Sequence, residues 1–212
     1  LDKLDELEKK MQDRGFSWDS KAKTGGVVKI LNDKDQSRLT EMRKSGLNIM
    51  MSMKSEGKPV SFVEDCAVNL ENLAEYTDGL TKIFKKYNVH GTWYAHASVG
   101  CLHVRPVLNM KINEDVKKMR MIAEEACALV KKFGGSFSGE HGDGIVRSEF
   151  IEKMFDKKVN NIFRQAKDLF DPNRIFNPEK IIDAPKMDDR NLFRYSPAYS
   201  ALDIKTVMDW SS

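Results

Sequence analysis

The chain has 212 residues, 41% apolar and 32% charged, with 35 basic and 32 acidic side chains and a net charge of +3. That balance is globular and excludes a disordered segment; no apolar run approaches the ~20 residues of a membrane-spanning helix. The signs are interspersed, as in EDVKKMRMIAEE, with no basic block interleaved with aromatics, which argues against a nucleic-acid partner.

The opening LDKLDELEKK lacks the basic-then-apolar order of a signal peptide and begins in mid-helix, as expected of a piece of a longer protein. Leu1, Leu4, Leu7 and Met11 continue at helical spacing to Gly15. GVVKIL at 26–31 is short and β-branched and predicts a strand, followed by a charged helix near 34–44 that stops at Gly46. The Met-rich stretch NIMMSMK predicts a packing or mobile loop, and PVSFVED at 59–65 a second strand. Residues 70–87 place Leu70, Leu73, Thr77, Leu80, Phe84 and Tyr87 on one stripe, with Asn69 as N-cap. TWYAHA and CLHVRPVL flank Gly100 and predict a hairpin or a kinked strand. A long helix over 114–133 turns Val116, Met119, Ile122, Ala126, Leu129 and Phe133 inward, between Asn113 and Gly134-Gly135. SFSGEHGDG is a short strand breaking into a glycine loop. A last helix at 157–170 ends before Asp171-Pro172, and the weakly periodic tail from 184 to 212 reads as an arm or linker. Uneven helix spacing and strands polar on one face favour α+β, an antiparallel sheet with helices packed on one face, over a parallel sheet.

His96 and His103 are seven apart, which on a straight strand gives opposite faces; a turn at Gly100 removes that conflict and can bring both imidazoles to one site. Glu140 can add a carboxylate. Two imidazoles and a carboxylate with an open position suit zinc and related divalent ions. From spacing alone, each histidine also reads as a turn or core residue with an ordinary hydrogen bond. His141 reads as a general base beside Glu140, or as part of a tight turn whose glycines serve positive φ. Arg43, Arg105 and Arg147 are candidate carboxylate forks, or solvated side chains. The cysteines Cys66, Cys101 and Cys127 show no CxxC spacing and read as reduced thiols of a cytoplasmic protein.

HASVGCLHVRP, then GGSFSGEHGDG, then FDPNRIFNPEKI form an ordered series that resembles the C-terminal half of FAD-linked oxidases of the vanillyl-alcohol-oxidase superfamily. Within it, the chain is similar to the D-lactate, glycolate and D-2-hydroxyglutarate dehydrogenase group over about residues 25–183. The resemblance implies a ferredoxin-like substrate or cap domain over 1–183, with 134–183 returning toward an FAD-binding domain that the chain does not contain. It also implies a divalent metal, zinc above all, on His96, His103 and Glu140, and His141 as the base. Arg43 would grip the carboxylate of a 2-hydroxy acid and Arg105 either a second carboxylate or the flavin phosphates, while Asn177, Gly139 and Gly142 would face FAD. Ser98-Val99-Gly100-Cys101 stands where the family carries GDGN, and Arg105 replaces a small polar residue. Both changes, and the tail, resemble a larger subgroup with an appended iron–sulfur module outside this chain. The expected protein is an FAD-dependent 2-hydroxy-acid dehydrogenase, inactive as the isolated chain and able to meet a membrane only through its unknown electron acceptor. The alternatives are a metal-free flavin oxidase and a non-catalytic assembly module.

Overall fold

A computed structural model describes residues 2–18, 25–196, 199–200 and 207–208. The chain divides into two compact units, Leu1–Met50 and Met51–Ser212. The first carries helix α1 (Asp2–Gln12) and most of α2 (Asp33–Met51). The strand expected at 26–31 does not form: β-branched residues favour a strand only where a partner ladder exists. Instead Lys29 reaches back to α1, 2.7 Å from Asp5 and 2.7 Å from Glu8. Helix α2 runs through Gly46 to Met51, because one exposed glycine costs only about 1 kcal/mol against alanine.

In the second unit, strands β1 (Lys58–Pro59), β2 (Cys66–Ala67), β3 (Gly91–His96) and β4 (Cys101–Leu108) form an antiparallel sheet centred on β4. β3 pairs with β4 along its whole length, from Gly91 opposite Pro106 to His96 opposite Cys101. On the other edge, β1 pairs at Val107–Leu108 and β2 at Cys101–Leu102. Of the strand read at 59–65 only Pro59 lies in β1, with the Val60 amide still donating to the Pro106 carbonyl at 2.8 Å; pairing resumes just past its end, at Cys66–Ala67.

Strand parity decides the layout. Leu102, Val104 and Leu108 of β4 enter the core with Tyr76, Leu80, Ile83 and Phe84 of α3 (Leu73–Lys86). They meet Val116, Met119, Ile122, Ala123, Ala126, Cys127 and Val130 of α4 (Asn113–Lys132). Cys101, His103 and Arg105 alternate with them and face the other way. The α+β expectation holds, with two helices backing one face of the sheet and the polar chemistry on the other. Asn69 caps a 3-10 turn at Leu70–Asn72 rather than α3 itself. Asn113 is the first residue of α4, not its cap. Gly134, at φ 63°, ends that helix.

Short helices α5 (Gly144–Arg147) and α6 (Ile151–Met154) lead to α7 (Lys157–Phe170). α7 buries none of its residues, so its start depends on Asp156, whose Oδ1 accepts from the Val159 amide at 2.8 Å. Asp156→Ala is expected to cost about 1 kcal/mol, read as a lower urea midpoint at unchanged slope. Of the arm read over 184–212, Met187 is buried in the core and Arg190 donates to the Met110 carbonyl at 2.9 Å; residues 197–198, 201–206 and 209–212 lie outside the described residues. No helix among the described residues is long and apolar enough to cross a membrane.

Candidate active site

The β3–β4 hairpin turns through a 3-10 segment at Ala97–Val99 and Gly100 at φ 73°. This turn puts Tyr94 opposite His103 and His96 opposite Cys101, so both histidines share the face away from α3 and α4. Their rings lie 5.0 Å apart. The loop after Phe137 then swings Glu140 between them: its Oε1 is 3.1 Å from His103 Nε2 and 3.6 Å from His96 Nε2. His141 follows, its ring stacked on that of His103 at 4.7 Å.

Two residues assigned no role in the sequence, Glu64 and Asp65, organise this loop. Asp65 is fully buried. It accepts from the amides of Glu140 at 3.1 Å and His141 at 2.8 Å and from the Ser138 hydroxyl at 3.1 Å, and its carbonyl accepts from Gly139 at 2.7 Å. Burial works against its charge, but these hydrogen bonds outweigh it and hold the carboxyl below the usual range. Glu64 is also buried. Its carboxylate lies 2.9 Å from His141 Nδ1 and 3.0 Å from an Arg105 nitrogen. It too stays below the usual carboxylate range, because the bonds from His141 and Arg105 overcome desolvation. The Glu64 contact raises the His141 pKa. Arg147, buried at the end of α5, lies 3.6 Å from Glu64 and 3.8 Å from Asp65 and donates to the Gly142 carbonyl. The signal for this pair was in the sequence: two adjacent acids inside the apolar run FVEDCAV must find partners wherever they are buried.

The ring of His103 is held from behind. Its Nδ1 lies 2.9 Å from the Glu64 carbonyl, which can only accept, so Nδ1 carries the proton. Its Nε2 faces a Glu140 carboxylate oxygen at 3.1 Å, a spacing that either a hydrogen on Nε2 or a cation between the two satisfies. The balance of charge favours the cation, since Glu64, Asp65 and Glu140 face Arg105 and Arg147. Tetrahedral zinc, with ligands at about 2.0–2.1 Å, places its donors ~3.4 Å apart; the two measured separations bracket that value. Metal-capable atoms of Asp65, His103, Glu140 and His141 all lie within 4.8 Å of one another. Asp65 already accepts from three donors, and His141 Nδ1 is taken by Glu64. Beside Glu140 stand the imidazoles of His96 and His103. The residues present therefore fit a divalent ion.

Cys101 lies beneath the centre, its Sγ 3.4 Å from Glu140 Oε1. Burial and the neighbouring carboxylates push its thiol up to about 12, so it sits there as a protonated donor. Arg105 is partly buried, with one nitrogen committed to Glu64. Gly139 and Gly142 both lie in the loop, Gly142 at φ 76°. Arg43 lies on α2 in the first unit and is exposed. Asn177 is exposed on a segment where Arg174, Asn177, Glu179, Ile181 and Asp183 all take positive φ.

Fold and site together define an α+β domain with an imidazole–carboxylate centre on the open face of its sheet. The chain belongs to the family described as FAD linked oxidases, C-terminal domain, which it matches over residues 5–181. A D-2-hydroxyglutarate dehydrogenase of Haemophilus influenzae is 40% identical over 144 residues, covering 68% of this chain and 14% of that protein. One from Escherichia coli is 32% identical over 87% of this chain and 18% of its own length. A D-lactate dehydrogenase of Archaeoglobus fulgidus is 32% identical over 74% of this chain and 33% of its own. The chain thus spans between about one seventh and one third of these relatives.

Proposed function

We propose that this chain is the substrate-side part of an FAD-dependent 2-hydroxy-acid dehydrogenase of the D-2-hydroxyglutarate or D-lactate type. The observation that carries the proposal is the convergence of His96, His103 and Glu140 beside a histidine whose outer nitrogen is open. In this reading His96 Nε2, His103 Nε2 and Glu140 Oε1 hold a divalent ion, zinc by donor type. Such an ion, when bound, makes a coordinated hydroxyl more acidic. FAD, when bound, is the two-electron acceptor for the hydrogen on C2.

The chain's own residues do the rest. His141 accepts the C2 hydroxyl proton at Nε2, because Nδ1 is engaged by Glu64. For the substrate carboxylate the family resemblance implies Arg43. Arg105, with one nitrogen on Glu64, offers its remaining edge to a second carboxylate; the D-2-hydroxyglutarate dehydrogenases among the relatives favour a dicarboxylic substrate.

Residues 1–183 form the cap, and 134–183 turn toward the FAD-binding domain. That last assignment is supported by Leu169, Phe170, Ile175 and Phe176, all more than two-thirds exposed. Asn177, Gly139 and Gly142 face the flavin, and 184–212 is a connecting arm. An iron–sulfur module elsewhere fits the relatives' lengths: 144 matched residues are 14% of the H. influenzae protein, while 162 are 34% of the glycolate oxidase subunit GlcD of Bacillus subtilis. The three cysteines here are free and buried, as suits a cytoplasmic protein.

The test is metal analysis of the intact protein beside a His96→Ala, His103→Ala double variant. About one zinc or manganese per chain, lost in the variant together with turnover of D-2-hydroxyglutarate or D-lactate, is the expected result. Turnover without stoichiometric metal would replace this reading by the metal-free flavin oxidase. Absence of both would leave an assembly module.

A further inference from the structure

We propose that Glu64 is the positioning residue of the reaction, the carboxylate that fixes His141 in the tautomer and orientation a base requires. This inference rests on His141 being the base. An imidazole has two nitrogens, and it can take a proton from substrate only at the one that carries no hydrogen. The ring of His141 is 42% exposed and its covalent neighbours are a glycine and a metal-ligand candidate, so nothing in the loop itself dictates which nitrogen faces outward. Glu64 does. It is 5% exposed, an anion that only accepts, and its Oε1 lies 2.9 Å from His141 Nδ1. Nδ1 must therefore carry the hydrogen, and in the neutral ring it is Nε2 that presents the lone pair.

Three further contacts show that Glu64 is itself fixed. Arg105 donates to Oε2 at 3.0 Å, and Arg147 stands 3.6 Å from Oε1. The adjacent Asp65 pins the His141 amide at 2.8 Å, so backbone and ring of the base are both held by one dipeptide. The backbone carbonyl of Glu64 accepts from His103 Nδ1 at 2.9 Å. One residue thus orients the proposed base through its side chain and a ligand histidine through its main chain. After the base has taken the substrate proton, its imidazolium lies against a carboxylate that is already desolvated and paired. That arrangement stabilises the charge which appears only as the reaction proceeds, so the effect falls on kcat and not on substrate binding.

The two functions of Glu64 separate in Glu64→Gln, which keeps the main-chain carbonyl and the side-chain volume. In the intact protein this variant is expected to keep its metal and to lose roughly 10- to 100-fold in kcat, within the range of general-base effects, a loss larger than any change in KM that follows from the altered Arg105 contact. A cycle with His141→Ala supplies the decisive readout. His141→Ala alone is expected to lose about 10²–10⁴-fold. If Glu64 acts through the histidine, Glu64→Gln adds less than about twofold in that background. A loss that multiplies in full in the double variant would overturn the proposal, because it would mean that Glu64 serves packing or substrate directly. Should Glu64→Gln fold poorly, Glu64→Asp keeps the charge toward Arg105 and Arg147 while withdrawing it from His141, and the same cycle applies. His141→Ala turning over at the parent rate would instead remove the base assignment, and the role of Glu64 with it.

Discussion

Asp65→Asn is expected to cost the intact protein about 3 kcal/mol and most of its turnover. The Asp65 carboxylate accepts two backbone amides and a hydroxyl from the segment that carries Glu140 and His141. Hydrogen bonds to a charged group contribute about 1.5–3 kcal/mol each. Asparagine leaves one acceptor oxygen for three donors and turns an NH2 toward an amide, and Arg147 loses a counter-charge. The loss should depend on pH with a definite sign. The Asp65 pKa is lowered in the fold, so its stabilisation is complete above the unfolded value of ~3.9 and is lost as pH falls through the folded value. Urea midpoints of parent and variant should differ fully at pH 7 and converge below about pH 4. A difference that stays constant down to pH 3 would mean that the carboxylate charge is not what holds the loop.

Gly100→Ala is expected to cost about 3–4 kcal/mol and to disturb the approach of His96 to His103 on which the proposed ion site depends. A Cβ at this position would lie 1.9 Å from the Val68 carbonyl oxygen, and φ is +73°. The left-handed conformation costs a non-glycine residue roughly 1–2 kcal/mol. The clash adds more, because Val68 is tied to the turn by its amide, which donates to the Gly100 carbonyl at 3.0 Å. Moving Val68 pulls the neighbouring β2 pairing out of register. Gly134→Ala is the control: its φ is +63°, but nothing stands within 4 Å of the added carbon. That variant should lose only the conformational part, and equal losses at the two positions would show that the approach to Val68 is not the cause.

Much of the fold was legible because its signals are local. The period of α4 gave Val116, Met119, Ile122 and Ala126 directly, and the Gly100 turn followed from the parity conflict between His96 and His103. Tyr76 stands outside the stripe of Leu73, Thr77 and Leu80, yet it is fully buried against the ring of Phe133. The strand at 26–31 failed because propensity cannot supply a partner. Glu64 and Asp65 were hidden for a different reason. They read as part of a strand over 59–65, and pairing with the loop at 138–141, more than seventy residues away, leaves no trace in local periodicity. Arg105 gives one nitrogen to Glu64, a contact that spacing on β4 alone could not reveal.

Strand β4 also sets how this protein can change length. Its alternate residues serve opposite masters, with Leu102, Val104 and Leu108 in oil and Cys101, His103 and Arg105 among charges. A single-residue insertion or deletion within the strand would exchange the two sets, driving an imidazole and a guanidinium into the core while exposing valine and leucine. A change of length in the turn at Ala97–Val99 carries no such parity. Indels between the two histidines should therefore be accommodated in that turn and nowhere along the strand that follows it.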